Sequence, residues 1–140
     1  MDIENLTKLL GKELQKGDDI VPIEEALKGK STICLYFSAH WCPPCKKFTP
    51  VLAGVYGEKK DEDVEIVFIS SDGDEADFNK YFKEMPWCAV PFKMLQTIKP
   101  TISEMYHVSG IPKLVFLKQD GSVDEEGRKH VQQEKHLHFK

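Results

Sequence analysis

Apolar residues fall into short unbroken runs that alternate with stretches of helical spacing. Thr32 to Phe37, Val64 to Ile69 and Lys113 to Leu117 are largely apolar, as expected of strands covered on both faces. Between the first two, Phe48, Val51, Leu52, Val55 and Tyr56 recur at the spacing of one helix face. Phe78, Tyr81, Phe82 and Met85 share the face of another helix. Asp74 can cap that helix, Glu75 and Asp77 suit its positive end, and Pro86 should stop it. Strands alternating with helices predict an α/β sheet, closed by an antiparallel hairpin at its C-terminal end.

The flanking segments follow less regular patterns. Leu6 to Leu14 allows a short helix, interrupted by Gly11. Lys16-Gly17-Asp18-Asp19 is a turn signal between two short strand-like stretches and predicts an edge hairpin, with Pro22 suited to an edge. Glu24 to Leu27 predicts a helical turn. Asp61 to Asp63 ends the segment that follows the first long helix, and Pro50 should bend that helix. Pro86 to Phe92 reads as a proline-bracketed apolar loop. A further helix is expected from near Pro100, with Ile102, Met105 and Tyr106 inward. Asp120-Gly121 marks the closing hairpin to a strand around Val123, after which the chain is polar and charged.

The chemistry concentrates at Trp41-Cys42-Pro43-Pro44-Cys45, between the first central strand and the long helix. Strand, Cys-x-x-Cys, helix is the context in which two cysteines read as a redox pair. Cys42 is expected at the N-cap and Pro43 at the first helical position. There unpaired N–H groups and the helix dipole favour an anion, so the Cys42 thiolate is expected to titrate below a free cysteine. A structural zinc site would need four ligands. The other sulfurs, Cys34 and Cys88, are isolated, and His40, His107, His130, His136 and His138 show no finger-like spacing. No metal and no cofactor are expected. A permanent disulfide across so short a loop would constrain the unfolded chain little. Reversible thiol–disulfide chemistry is the better reading.

Composition narrows the setting. The 140 residues, 41% hydrophobic, suit a single domain with its own core. A net charge of −4 gives no reason to expect nucleic acid or an anionic membrane as partner. No apolar run approaches a membrane span, and the start of the chain has no signal-peptide pattern. A reducing cytoplasmic setting, with the nucleus as an extension of it, is expected.

These residues resemble the thioredoxin fold, and within it the tryparedoxin and nucleoredoxin branch, from about Leu9 to Val131. The resemblance rests on Tyr36-Phe37-Ser38-Ala39, Trp41-Cys42-Pro43-Pro44-Cys45, Phe48-Thr49-Pro50, Val67-Phe68-Ile69-Ser70-Ser71-Asp72 and Gly110-Ile111-Pro112. Ordinary thioredoxins carry Gly where Pro43 stands. It implies a thioredoxin fold across residues 1–140: a central mixed β-sheet flanked by helices, with an extra N-terminal β-hairpin. It also implies Cys42 as the attacking thiol and Cys45 as the resolving one. Pro112 matches the family's cis-proline beside the pair, with the Ile111 backbone binding a substrate peptide as a short strand. Trp41, Pro43 and Pro44 would complete that surface, and Pro50 matches the family's kinked helix.

Some positions depart from the family. The buried aspartate of thioredoxin falls at Tyr36, which makes Asp72 a candidate for proton transfer, with a helix cap as its alternative role. Ser71 stands where tryparedoxin has tryptophan, which tilts the likeness towards nucleoredoxin. Relatives often continue beyond the position of Lys140 into another helix. Cys34 reads as a small buried hydrophobe and Trp87 as core. Cys88 reads as a half-buried spectator or a third redox thiol, and His40 as a thiolate partner or a solvated side chain. The expected function is a monomeric thiol–disulfide oxidoreductase that reduces protein disulfides, fed by an unidentified thiol donor. The alternative is a redox-sensitive binding module with little turnover.

Overall fold

The computed structural model describes residues 3–58, 64–118 and 120–134. Among these residues seven strands form one mixed sheet in the order β2-β1-β5-β4-β3-β6-β7. Its centre is β3 (Thr32–Ser38), parallel to β4 (Val64–Ser70) and antiparallel to β6 (Lys113–Lys118). Every residue of β3 and β4 is buried. Because successive side chains point to opposite faces, each strand feeds two cores. Leu35, Phe37, Val67 and Ile69 pack on one face with Leu6, Leu10 and Ile102. Cys34, Tyr36, Ile66 and Phe68 pack on the other with Phe48, Leu52, Phe78 and Tyr81.

The first face is covered by α1 (Ile3–Leu10), α2 (Ile23–Leu27) and α5 (Leu95–Met105). The second is covered by α3 (Pro43–Glu58) and α4 (Glu75–Phe82). The result is the expected sheet flanked by helices. The extra hairpin, β1 (Glu13–Lys16) and β2 (Asp19–Pro22), extends one edge and leaves Pro22 on the outermost strand. The two-residue strand β5 (Cys88–Ala89) joins that hairpin to β4. Asp74 caps α4 as anticipated, its carboxylate accepting the Asp77 N–H at 2.8 Å.

Several boundaries differ from the sequence expectation. The first helix stops at Leu10 and does not run to Leu14, because Gly11 takes φ +92 and donates its N–H back to the Thr7 carbonyl. That left-handed position ends a helix and frees Leu14 for β1. The last long helix starts at Leu95, behind a 3-10 turn at Phe92–Met94, and Pro100 lies inside it. Proline was a misleading start signal there. Met105 is 49% exposed, at the edge of the stripe set by Leu95, Ile98 and Ile102, and Val51 of α3 is likewise exposed. Cys88 is fully buried in a strand, not half-buried in a loop. The expected end at Asp61 to Asp63 lies outside the described residues.

Beyond β7 (Val123–Asp124), the polar segment folds back as helical turns at Gly127–Lys129 and His130–Glu134, with Val131 buried. Gly127 lies against β6 so closely that a Cβ there would meet the Leu114 carbonyl oxygen at 2.7 Å and the Phe116 ring at 2.8 Å.

Candidate active site

Where β3 ends, the chain turns at Ala39 and starts α3 with the cysteine pair. The Cys42 carbonyl accepts the first helical hydrogen bond, from Lys46 N–H at 3.0 Å. The Cys42 Sγ accepts the Cys45 N–H at 3.4 Å, so the thiol acts as the helix cap. Pro43 opens the helix, where its missing N–H costs no bond. Pro43 and Pro44 are exposed, and Trp41 is 61% exposed with its indole N–H donating to the Ser71 carbonyl at 3.2 Å. Both thiols are free. Cys42 retains 5% exposure and Cys45 none, which leaves Cys42 as the thiol a substrate can reach.

A loop from the far side of the sheet completes the rim. The Ile111–Pro112 peptide bond is cis. The Cys42 thiol donates to the Ile111 carbonyl at 3.8 Å, and Ile111 packs against Ala39, Cys42 and Cys45. Pro112 is buried behind it, with the Arg128 guanidinium 3.5 Å from its carbonyl oxygen and above the Phe48 ring. The fold therefore gathers Trp41, Cys42, Cys45, Ile111 and Pro112 at one end of the sheet.

Asp72 is close by but faces elsewhere. Its Oδ1 accepts the His40 N–H at 2.8 Å and its Oδ2 accepts the Ser70 hydroxyl at 2.8 Å. It ties the turn before the cysteines to the end of β4. It does not cap α4, which Asp74 does. The His40 ring rests edge-on against Tyr81.

Beneath Cys45 lies a cluster that the sequence reading missed. The Tyr36 hydroxyl and Thr49 Oγ1 share a hydrogen bond at 2.6 Å, Thr49 Oγ1 and the Tyr81 hydroxyl share another, and Tyr81 meets Ser38 Oγ at 2.8 Å. Thr49 also donates to the Cys45 carbonyl at 3.0 Å. The Tyr36 position, left without a carboxylate, is filled by hydroxyls in a chain. Burial pushes the Cys45 thiol up to about 11, with the hydrogen bond to Cys42 adding to the rise. Ser38 and the Ala39 backbone pull it back down. The signal available in sequence was the shared parity of Tyr36 and Ser38 along β3, which sends both to the α3 face.

The two remaining cysteines sit apart from this chemistry. Cys34 is buried mid-sheet and Cys88 donates to the Ile66 carbonyl at 3.3 Å. Burial pushes both thiols far up, with Glu65 adding to it, which keeps them protonated. Among the described residues no cluster of His, Cys, Asp and Glu suited to a metal ion forms, and no helix is long and apolar enough to cross a membrane.

Comparison with known proteins agrees with this geometry. Residues 29–123 match the family model described as thioredoxin-like. The chain belongs to the thioredoxin-like family. It is 42% identical to probable nucleoredoxin 1 of Arabidopsis thaliana over 127 residues, which is 89% of this chain and 21% of that protein. It is 45% identical to the tryparedoxin of Trypanosoma brucei brucei over 97 residues, 68% of this chain and 65% of the relative. The structure of tryparedoxin I from Leishmania major superposes with a TM-score of 0.82 at 34% identity, covering 94% of this chain and 92% of that one. The chain thus spans about a fifth of the length of the Arabidopsis nucleoredoxin and nearly all of a tryparedoxin domain.

Proposed function

We propose that this chain is a thiol–disulfide oxidoreductase that reduces protein disulfides through Cys42 and Cys45. The observation that carries the reading is the contact between the two cysteines: Cys45 N–H on the Cys42 sulfur, at the start of a helix and beside the Ile111 carbonyl. A thiolate at Cys42 is stabilised by that N–H and by the helix dipole. It attacks one sulfur of the substrate disulfide, forming a mixed disulfide and releasing the other substrate sulfur as a thiolate that takes up a proton. Cys45 then loses its proton and attacks the Cys42 sulfur. The second substrate thiol leaves, and the chain is left with a Cys42–Cys45 disulfide, which a dithiol donor reduces to complete the cycle.

Trp41, Pro43, Pro44 and the Ile111–Pro112 backbone are the surfaces we assign to substrate. Asp72 is assigned a positioning role, through its hold on the His40 backbone, in place of proton transfer. The reading sets the protein in a reducing compartment, cytoplasmic or nuclear, where its four thiols stay free, and it acts as a monomer on disulfide-containing proteins.

The decisive test is a pair of serine variants with insulin as substrate and dithiothreitol as donor. Cys42→Ser should abolish turnover. Cys45→Ser should lose the Cys45-dependent second step and, when mixed with insulin in the absence of dithiothreitol, accumulate mixed disulfides through Cys42, visible on non-reducing gels. Absence of trapped species in Cys45→Ser, together with partner binding that depends on oxidation state, would identify a redox-sensitive binding module instead.

A further inference from the structure

Two cavities adjoin along α5, and the nearer one opens beside Trp41 and Ile111, the neighbours of Cys42. The nearer, about 390 Å³, lies between Trp41, Ser71 and Ile111. The farther, about 640 Å³, reaches along α5 to Phe92 and Lys93. Lys99 and Ser103 line both, so the two make one groove that begins at the rim of the cysteine pair.

The groove offers many donors and little free negative charge. Serine hydroxyls recur along it, and Lys93 and Lys99 bring two ammonium groups. Its one carboxylate among the described lining residues, Asp72, keeps its charge while His40 N–H and the Ser70 hydroxyl hold its oxygens, so the two lysines outnumber it. Lys99 is half-buried and forms no ion pair among the described residues. Burial lowers its pKa, with the field of Asp72 acting the other way. A partly buried ammonium that makes no direct ion pair among the described residues is open to an approaching anion. The setting is also selective, since the chain as a whole carries a net charge of −4, and this patch runs against that balance.

We propose that the groove reads an acidic side chain flanking the reactive cysteine of the protein substrate, with Lys99 as its charge contact. A substrate whose sulfur meets Cys42 must pass its neighbouring residues between Trp41 and the Ile111 backbone, and so over the nearer cavity. A carboxylate there lies within reach of the Lys99 ammonium. Lys93, at the far end, serves a residue further along the same segment. This inference rests on the reductase reading above and specifies its substrate.

The test uses two synthetic peptide disulfides that differ only in glutamates or glutamines beside the cysteine, with glutathione disulfide as a third substrate. The wild-type protein should reduce the acidic peptide about fivefold more efficiently in kcat/KM, as one partly exposed ion pair allows. Lys99→Gln should bring the ratio to about one and Lys99→Glu should invert it. Raising the ionic strength should shrink the wild-type ratio. Turnover of both peptides at equal efficiency, or a preference that survives Lys99→Gln, overturns the groove while leaving the reductase reading intact. A Lys99-dependent preference for glutathione disulfide over the acidic peptide overturns it in favour of a small-thiol site. Failure of the wild type to reduce any of the three overturns the reductase reading and the groove with it.

Discussion

The two cysteines of one motif, a single helical turn apart, live in opposite surroundings. Cys42 sits at a rim built from an exposed indole, exposed prolines and a loop carbonyl. Cys45 sits on a floor of buried hydroxyls that belong to β3, α3 and α4. The rim is open enough to meet another protein and the floor is closed enough to hold a proton. That division suits a two-step exchange, in which one sulfur must be reachable and the other must wait. Neutral hydroxyls beneath Cys45 avoid the desolvation cost that a buried carboxylate there would carry.

The largest expected contrast is in reactivity towards an alkylating agent. With its thiol pushed up to about 11, Cys45 carries thiolate in roughly one molecule in ten thousand at pH 7. Cys42 should be labelled first at neutral pH, and Cys45 should follow only as the pH climbs towards 11. Mass spectrometry of the peptides after timed labelling reads this directly. Labelling of Cys45 ahead of Cys42 would reverse the roles of rim and floor.

A smaller effect tests the floor itself. Ser38 lowers the Cys45 pKa, so Ser38→Ala should raise it further and slow the second step. A hydrogen bond to a charged group of ~1.5 kcal/mol implies about a tenfold loss in the rate of product release. The alkaline limb of the pH–rate profile should move up while the first, mixed-disulfide step is unchanged. Single-turnover kinetics separates the two. An unchanged limb would mean that the hydroxyls only pack.

The smallest effect belongs to the thiols outside both regions. Cys88→Ala should leave insulin reduction unchanged and cost on the order of 1 kcal/mol of stability, as the loss of a small buried group does. Denaturant titration beside an activity assay checks both. A loss of turnover would make Cys88 part of the chemistry, contrary to its buried place in β5.

Much of this contrast was legible before any coordinates. The rim is local in sequence: Trp41 to Cys45 follows a continuous apolar strand and precedes a helical stripe, so its geometry comes with its neighbours. The sheet core was equally plain, since fully apolar runs such as Val64 to Ile69 admit few other fates. The floor was not legible, because Ser38, Thr49 and Tyr81 come from three separate elements and each alone reads as an ordinary polar or core residue. Asp72 was noticed but given the wrong alternative, since its cap-like sequence context hid a long-range bond to His40. The start of α5 was misplaced because Pro100, a common first residue, sits in the interior of this helix.

The contact of Gly127 with β6 has a consequence for how the whole chain tolerates change. Among the described residues after Asp124, Glu126, Lys129, Gln132 and Gln133 are exposed, positions of the kind that accept substitution freely. Yet at one point the segment is pressed onto the Leu114 carbonyl and the Phe116 ring with no room for a methyl group. Any larger residue there is a wedge driven under the next side chain, Arg128, which spans Pro112 and Phe48. The rim of the site and the tail of the chain thus turn on a common pivot. A substitution at Gly127, remote in sequence from both cysteines, should therefore be felt at Pro112, the residue next to Ile111 at the rim.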